Sequence, residues 1–149
     1  MWSITLKQAT TLVEAALAKG RELELRPLAV VVLDPGGNVT VVHREDRAGI
    51  LRVDIATAKA WGTLGVGVGG ARFTAHAKRD PVFFSGLAAI SGGRIASSRG
   101  GVLVRDGQGE IIGAVGVSGD RPENDEACAV AGIDAAGLNA DTGADPEEH

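Results

Sequence analysis

The 149-residue sequence is poor in cysteine, in aromatic residues and in long apolar segments. Its single cysteine, Cys128, excludes an intramolecular disulfide and any zinc site built from several cysteines. Tyrosine is absent, and phenylalanine and tryptophan are too scarce for the stacking surfaces of a nucleic-acid-binding protein. No segment approaches the roughly 18 apolar residues of a membrane span, and the N-terminus lacks a signal-peptide pattern. We therefore expect a cytoplasmic protein with neither nucleic-acid nor membrane partners.

Glycine and alanine are abundant instead, with 22 glycines and 23 alanines in the chain. Small side chains let backbones approach closely, but they bury little apolar area per residue. A protomer of this size would therefore have a thin core, which burial between identical copies would enlarge. We predict a homo-oligomer, at least a dimer, with the irregular segment 65–100 near an interface.

Acidic residues are concentrated at the C-terminal end. Residues 122–149 contain no lysine or arginine, and the segment 141–149 is acidic and has few apolar side chains. Such a composition is typical of a terminus that does not pack. We expect a single domain over residues 1–140, followed by an acidic flexible tail over 141–149.

The hydrophobic pattern predicts two hairpin–helix units after an N-terminal helix. Thr5-x-x-Gln8 is a capping box that begins the first helix, which ends at Gly20 or runs on to Leu25. The other expected elements are hairpins over 28–43 and 101–117, helices over 52–64 and 123–138, a short helix over 72–78, and a loop from there to Gly100. The continuous apolar run 28–33 indicates a strand buried on both faces.

Gly65-x-Gly67-x-x-Gly70 matches the dinucleotide-binding pattern, but its surroundings do not. That chemistry needs a strand before the glycines and a helix opening after them. Here a helix precedes the glycines, so we interpret them as a flexible loop that terminates this helix.

Several polar residues are candidates for a binding site. Lys59 lies among alanines in the second helix, where its ammonium either reaches water or points into a cleft as an anion anchor. The turn at Ser118 lies between a strand and a helix, where backbone amides hold an anion or form a plain turn. His43 and His76 lack the partners of a structural metal site, although a haem needs only one protein ligand.

Six segments, taken in order, resemble the GlcG/HbpS family, the haem-binding-protein-like domain DUF336 that also forms the C-terminal domain of PduO-type corrinoid enzymes. The resemblance covers roughly residues 3–138. It is carried by AVVVLDPGGN at 29–38, RED at 44–46, IAxxKA at 55–60, GGV at 100–102, IGAVGVSG at 112–119 and NDE at 124–126.

This resemblance implies an α+β fold, a single profilin-like domain in which helices pack on the faces of an antiparallel sheet. It also implies assemblies from dimers to octamers, and in some members a haem or a related tetrapyrrole. We accordingly expect an oligomer that binds a small anionic ligand, with haem as the possible cofactor.

The candidate residues then take specific roles. Arg44 and Lys59 would bind the ligand carboxylates, Asp46 would orient Arg44, and amides around Ser118 would add neutral donors. His43 or His76 would be the axial ligand of a haem. The alternative is a catabolic enzyme acting on a small oxo- or hydroxy-acid, with Lys59 as base or Schiff-base former and Asp46 or Asp125 as partner acid.

Overall fold

A computed structural model describes residues 2–145, which form five helices and five strands. In chain order these are α1 (Leu6–Glu22), β1 (Ala29–Leu33), β2 (Val39–Arg44), α2 (Arg52–Val66), α3 (Gly70–Arg79), α4 (Pro81–Ile90), β3 (Gly101–Arg105), β4 (Ile111–Ser118), α5 (Pro122–Ala135) and β5 (Asn139–Asp141).

The strands form one antiparallel sheet in the order β2-β1-β4-β3-β5, with helices on both faces. Successive β1 side chains point to opposite faces. Val30 and Val32 join the core beneath α1 and α5, whereas Val31 and Leu33 join the smaller core beneath α2. All of β1 is buried, which confirms the predicted strand, and the architecture confirms the predicted α+β fold.

Small residues allow α2 to lie close to the sheet. Ala56 and Ala60, one turn apart on α2, are fully buried against it. A Cβ atom at Gly116, in the middle of β4, would overlap the carbonyl oxygen of Ala56. The glycine in the strand and the alanines in the helix therefore set the distance between the two layers.

The predicted capping box begins α1. The Gln8 amide donates to the Thr5 hydroxyl over 3.1 Å, and the Thr5 amide donates to the Gln8 side-chain oxygen over 3.0 Å. The helix continues past Gly20 to Glu22, because Gly20 is enclosed against Leu28 and does not face solvent.

The prediction of a loop over the whole stretch from residue 79 to Gly100 is wrong, because α4 lies within it. Asp80 caps this helix by accepting from the Phe83 amide over 3.0 Å, and Pro81 occupies its first turn, where a missing amide proton costs nothing. No residue of α4 is buried, and its sequence is apolar on every side. It therefore lacks the alternation of apolar and polar faces by which a surface helix is identified.

The glycines at 65–70 terminate α2, as interpreted from the sequence. Gly67 adopts the left-handed conformation with φ of 74°, and its amide donates to the Thr63 carbonyl over 2.8 Å. A new helix, α3, begins directly after them at Gly70.

The expected tail begins with residues that contact the fold. Asp141 ends β5 and pairs with Arg105 of β3 over 2.9 Å, and the Thr142 carbonyl accepts from the Ala71 amide of α3 over 3.0 Å. Residues 146–149 of the expected tail lie outside the described residues. Across the part of the chain described, no helix is both long enough and apolar enough to cross a membrane.

Candidate functional site

An apolar cavity of about 360 Å³ lies between the C-terminal end of α2 and the helices α3 and α4. Its aromatic lining comes from Phe73 of α3 and from Phe83 and Phe84 of α4. The Phe73 and Phe84 rings pack in a tilted arrangement with centroids 5.7 Å apart. Phe83 is 62% exposed, so the cavity is bordered by an aromatic side chain that also faces solvent. Such a lining suits an apolar, flat ligand.

Two polar side chains, His76 and Asp80, line this cavity alongside its apolar groups. The Asp80 carboxylate already accepts a hydrogen bond as the cap of α4. The His76 ring forms no hydrogen bond within residues 2–145, and it is exposed. His76 therefore supplies the cavity with an imidazole whose nitrogens are available to a ligand.

His43, the other histidine expected as a haem ligand, lies elsewhere. It is exposed on the edge strand β2, paired in register with Val30. Val30 belongs to the core under α1 and α5, whereas the apolar cavity adjoins α2, which covers the opposite face. Of the two expected histidines, the structure brings only His76 to this cavity.

Lys59 and Asp125 form a buried ion pair between α2 and α5. The Lys59 ammonium lies 3.1 Å from the Asp125 carboxylate and donates to the Val117 carbonyl of β4 over 2.8 Å. Their side chains are only 7% and 1% exposed. The second Asp125 oxygen accepts from the Asp120 amide over 3.0 Å, which fixes the turn between β4 and α5. The pair therefore joins α2, β4 and α5.

Burial perturbs both members of this pair. It lowers the pKa of Lys59, opposed by the attraction of Asp125, and it raises the pKa of Asp125, opposed by the attraction of Lys59. A lowered pKa is one requirement for a Schiff-base lysine, and access to the substrate carbonyl is the other. The Lys59 nitrogen is enclosed by two protein acceptors, so the arrangement favours a structural role.

Ser118 lies beside this ion pair at the end of β4. It is fully buried, and its hydroxyl oxygen accepts from the Arg52 guanidinium over 3.2 Å. Arg52 was not among the residues singled out in the sequence, although it lies two turns before Lys59 on the same face of α2. The structure thus groups Lys59, Asp125 and Ser118, and adds Arg52 to them.

Arg44 and Asp46 lie apart from that group, at the end of β2. Arg44 pairs in register with Ala29, which in turn pairs with Ser118, so a whole strand separates Arg44 from Ser118. The Arg44 guanidinium donates to the Ala48 carbonyl over 2.8 Å, and no hydrogen bond between Arg44 and Asp46 occurs within residues 2–145. Both line a polar cavity of about 430 Å³ that Lys59 does not border.

The apolar cavity was missed in the sequence because α4 was missed. The signal for its other wall was present, since Phe73 and Ala77 are four residues apart and so lie on one face of the predicted helix over 72–78. Without α4 there is no second wall, so the sequence indicates His76 as a haem ligand only as an alternative to His43.

Known proteins resemble this chain over nearly its whole length. The family model described as "Haem degrading protein HbpS-like" matches residues 4–134. An uncharacterised 15.0 kDa protein from the dhaT–dhaS intergenic region of Citrobacter freundii is 33% identical over 132 residues, covering 89% of this chain and 91% of its own.

Solved structures share the fold. The Klebsiella pneumoniae protein ORFY, a DUF336 protein, is 30% identical with a TM-score of 0.83, and the match covers 92% of each chain. The crystal structure of a PduOC:heme complex is 24% identical with a TM-score of 0.82, covering 95% of this chain and 99% of that one. These matches confirm the resemblance seen in the sequence, and the chain belongs to the HbpS-like family.

Proposed function

We propose that this protein binds haem or a related tetrapyrrole in the apolar cavity between α2, α3 and α4, with His76 as the iron ligand. The observation that carries the proposal is a histidine ring, unused by the protein within residues 2–145, that lines a cavity together with Phe73, Phe83 and Phe84. A single histidine is sufficient to hold a haem iron, and aromatic side chains pack against its ring system.

The comparisons support this choice of ligand. The matching family model is described as haem-degrading, and one protein of the same fold was crystallised as a haem complex. When bound, haem would supply an iron that accepts an imidazole ligand, together with redox chemistry that belongs to the cofactor. The chain's own contribution is the apolar enclosure and the position of the His76 nitrogen.

Haemin titration tests the proposal directly. We expect the wild-type protein to shift and sharpen the Soret band, and His76→Ala to lose the shift of an imidazole-bound iron. His43→Ala is the matched control, because it removes an exposed histidine on the other face of the sheet and should leave the spectrum unchanged. Equal loss in both variants, or no shift in the wild type, contradicts the proposal.

The proposed function includes self-association through α4. Val82, Phe83 and Ile90 of this helix are 82%, 62% and 85% exposed, and no α4 residue is buried. An apolar helix that residues 2–145 leave uncovered marks an interaction surface, and a second copy of the chain carries the same apolar helix to meet it.

Light scattering at micromolar concentration tests this assembly, and it should report a mass well above the 15.2 kDa protomer. The double variant Val82→Glu/Ile90→Glu should lower that mass, whereas Leu6→Glu on α1, where the native leucine is 65% exposed, should leave it unchanged. A monomeric wild type would refute assembly, and a variant mass equal to wild type would refute the role of α4.

The enzymatic alternative, with Lys59 as a base or Schiff-base former, is the weaker proposal. Its nitrogen would first have to leave both the Asp125 carboxylate and the Val117 carbonyl. Borohydride trapping with small oxo-acids distinguishes the two functions, and we expect no mass gain at Lys59.

A further inference from the structure

A second cavity adjoins α3 and shares His76 with the apolar one. This basic cavity, of about 400 Å³, lies between α3, Arg99 and the segment 143–145. Among the described residues that line it, Arg72, Lys78, Arg79 and Arg99 are basic and Asp145 is acidic. A ligand at His76 therefore has an apolar cavity on one side and a basic one on the other.

Two of these arginines flank His76 on one face of α3. Arg72 and Arg79 lie four residues before and three residues after His76, which places each about one helical turn from it on the same side. Neither arginine forms an ion pair or side-chain hydrogen bond within residues 2–145, whereas Arg99 is held by Glu126 over 3.4 Å. Both arginine residues are exposed, so their guanidinium groups can receive an anion.

The stability of α3 alone does not explain why basic residues lie at these positions. Lys78 and Arg79 lie in the last turn of α3, where cations interact favourably with the helix dipole. Arg72 lies in the first turn, where the dipole opposes a cation, and that turn contains no acidic residue. The same cavity is lined by Thr74, whose buried hydroxyl oxygen has no hydrogen-bond partner among the described residues.

We propose that Arg72 and Arg79 bind the carboxylate groups of the ligand whose ring system occupies the apolar cavity. This inference rests on the proposed function and assigns the ligand's chemical class: a flat apolar body that carries carboxylates at one edge. Guanidinium groups bind carboxylates through paired N–H donors, so two arginines around the axial histidine would fix the rotation of the ring as well as its position.

The test compares ligands with and without free carboxylates. Haemin and haemin dimethyl ester are titrated against the wild type and Arg72→Gln/Arg79→Gln, which removes both charges but keeps a polar side chain at each position. We expect the double variant to weaken haemin binding about tenfold, as two partly exposed charge-assisted contacts would. Its affinity for the ester should not change. Arg72→Lys/Arg79→Lys should recover part of the loss, and Lys7→Gln/Lys19→Gln removes the same charge from α1 as the control.

The outcomes separate this inference from the proposed function. If haemin binds through His76 with equal affinity in the wild type and the double glutamine variant, the inference is overturned and the proposed function stands. If haemin gives no Soret shift, metal-free protoporphyrin IX is titrated by fluorescence. Binding that the glutamine variant weakens then supports the carboxylate site without iron coordination, and absence of binding overturns both.

Discussion

Of the charged side chains discussed above, Lys59 is the one whose removal should lower the free energy of unfolding most. Lys59→Met leaves the Asp125 carboxylate 1% exposed, with the Asp120 amide as a remaining donor and no cation. Breaking a buried pair by deleting one partner costs roughly 3–5 kcal/mol, because the other charge stays buried without compensation. That is a large part of the roughly 5–15 kcal/mol by which a domain is stable.

Urea unfolding followed by circular dichroism measures this loss. Lys19→Met is the matched control, because the Lys19–Glu22 pair on α1 is solvent-exposed and such pairs contribute about 1 kcal/mol or less. The double variant Lys59→Met/Asp125→Asn should be more stable than Lys59→Met alone, since it buries no unpaired charge. Lys59→Met within about 1 kcal/mol of wild type, or strictly additive single effects, would refute the reasoning.

The pH dependence of the free energy of unfolding tests independently whether the buried Asp125 charge causes this loss of stability. Burial raises the pKa of Asp125, and Lys59→Met removes the cation that opposes this rise. A carboxyl group whose pKa is higher in the folded than in the unfolded state stabilises the folded state. This stabilisation is complete below the unfolded pKa of about 3.9, and it is lost as the pH rises through the folded pKa. The stability gap between wild type and Lys59→Met should therefore narrow from pH 7 towards pH 4. A constant gap would mean that the Asp125 charge is not its cause.

Two further predictions concern the core. Gly116→Ala should cost about 3 kcal/mol in urea unfolding, because its Cβ would overlap the Ala56 carbonyl oxygen, whereas Gly107→Ala in the β3–β4 turn has open space and should be nearly neutral. A small effect at Gly116 would show that α2 can move away from the sheet. Cys128 is buried, and burial raises the pKa of its thiol to about 11, so the native protein at pH 8 should react with a thiol reagent only at the rate of unfolding. Immediate reaction with a full equivalent would contradict its burial.

The sheet and the helices on its faces were predictable because their sequences carry strong local signals. β1 is a run of β-branched residues between turn residues, and α1 begins with a capping box that the structure reproduces atom by atom. These signals depend on neighbours along the chain. The ion pair between Lys59 and Asp125 joins residues from different helices. The sequence could therefore indicate both as candidates but could not show that their side chains pair with each other.

The uniformly apolar sequence of α4 explains both why this helix was not predicted and why we assign it a role in ligand binding and assembly. A surface helix is found in a sequence by the contrast between its apolar and polar faces, and that contrast exists because one face meets water. The α4 sequence has no such contrast, although every one of its residues is unburied in the protomer. Its composition is that of a helix covered on all sides, while residues 2–145 cover it on the side towards α3, where Phe73 packs against Phe84. The proposals above assign the remaining cover of α4 to the ligand in the cavity and to a second copy of the chain.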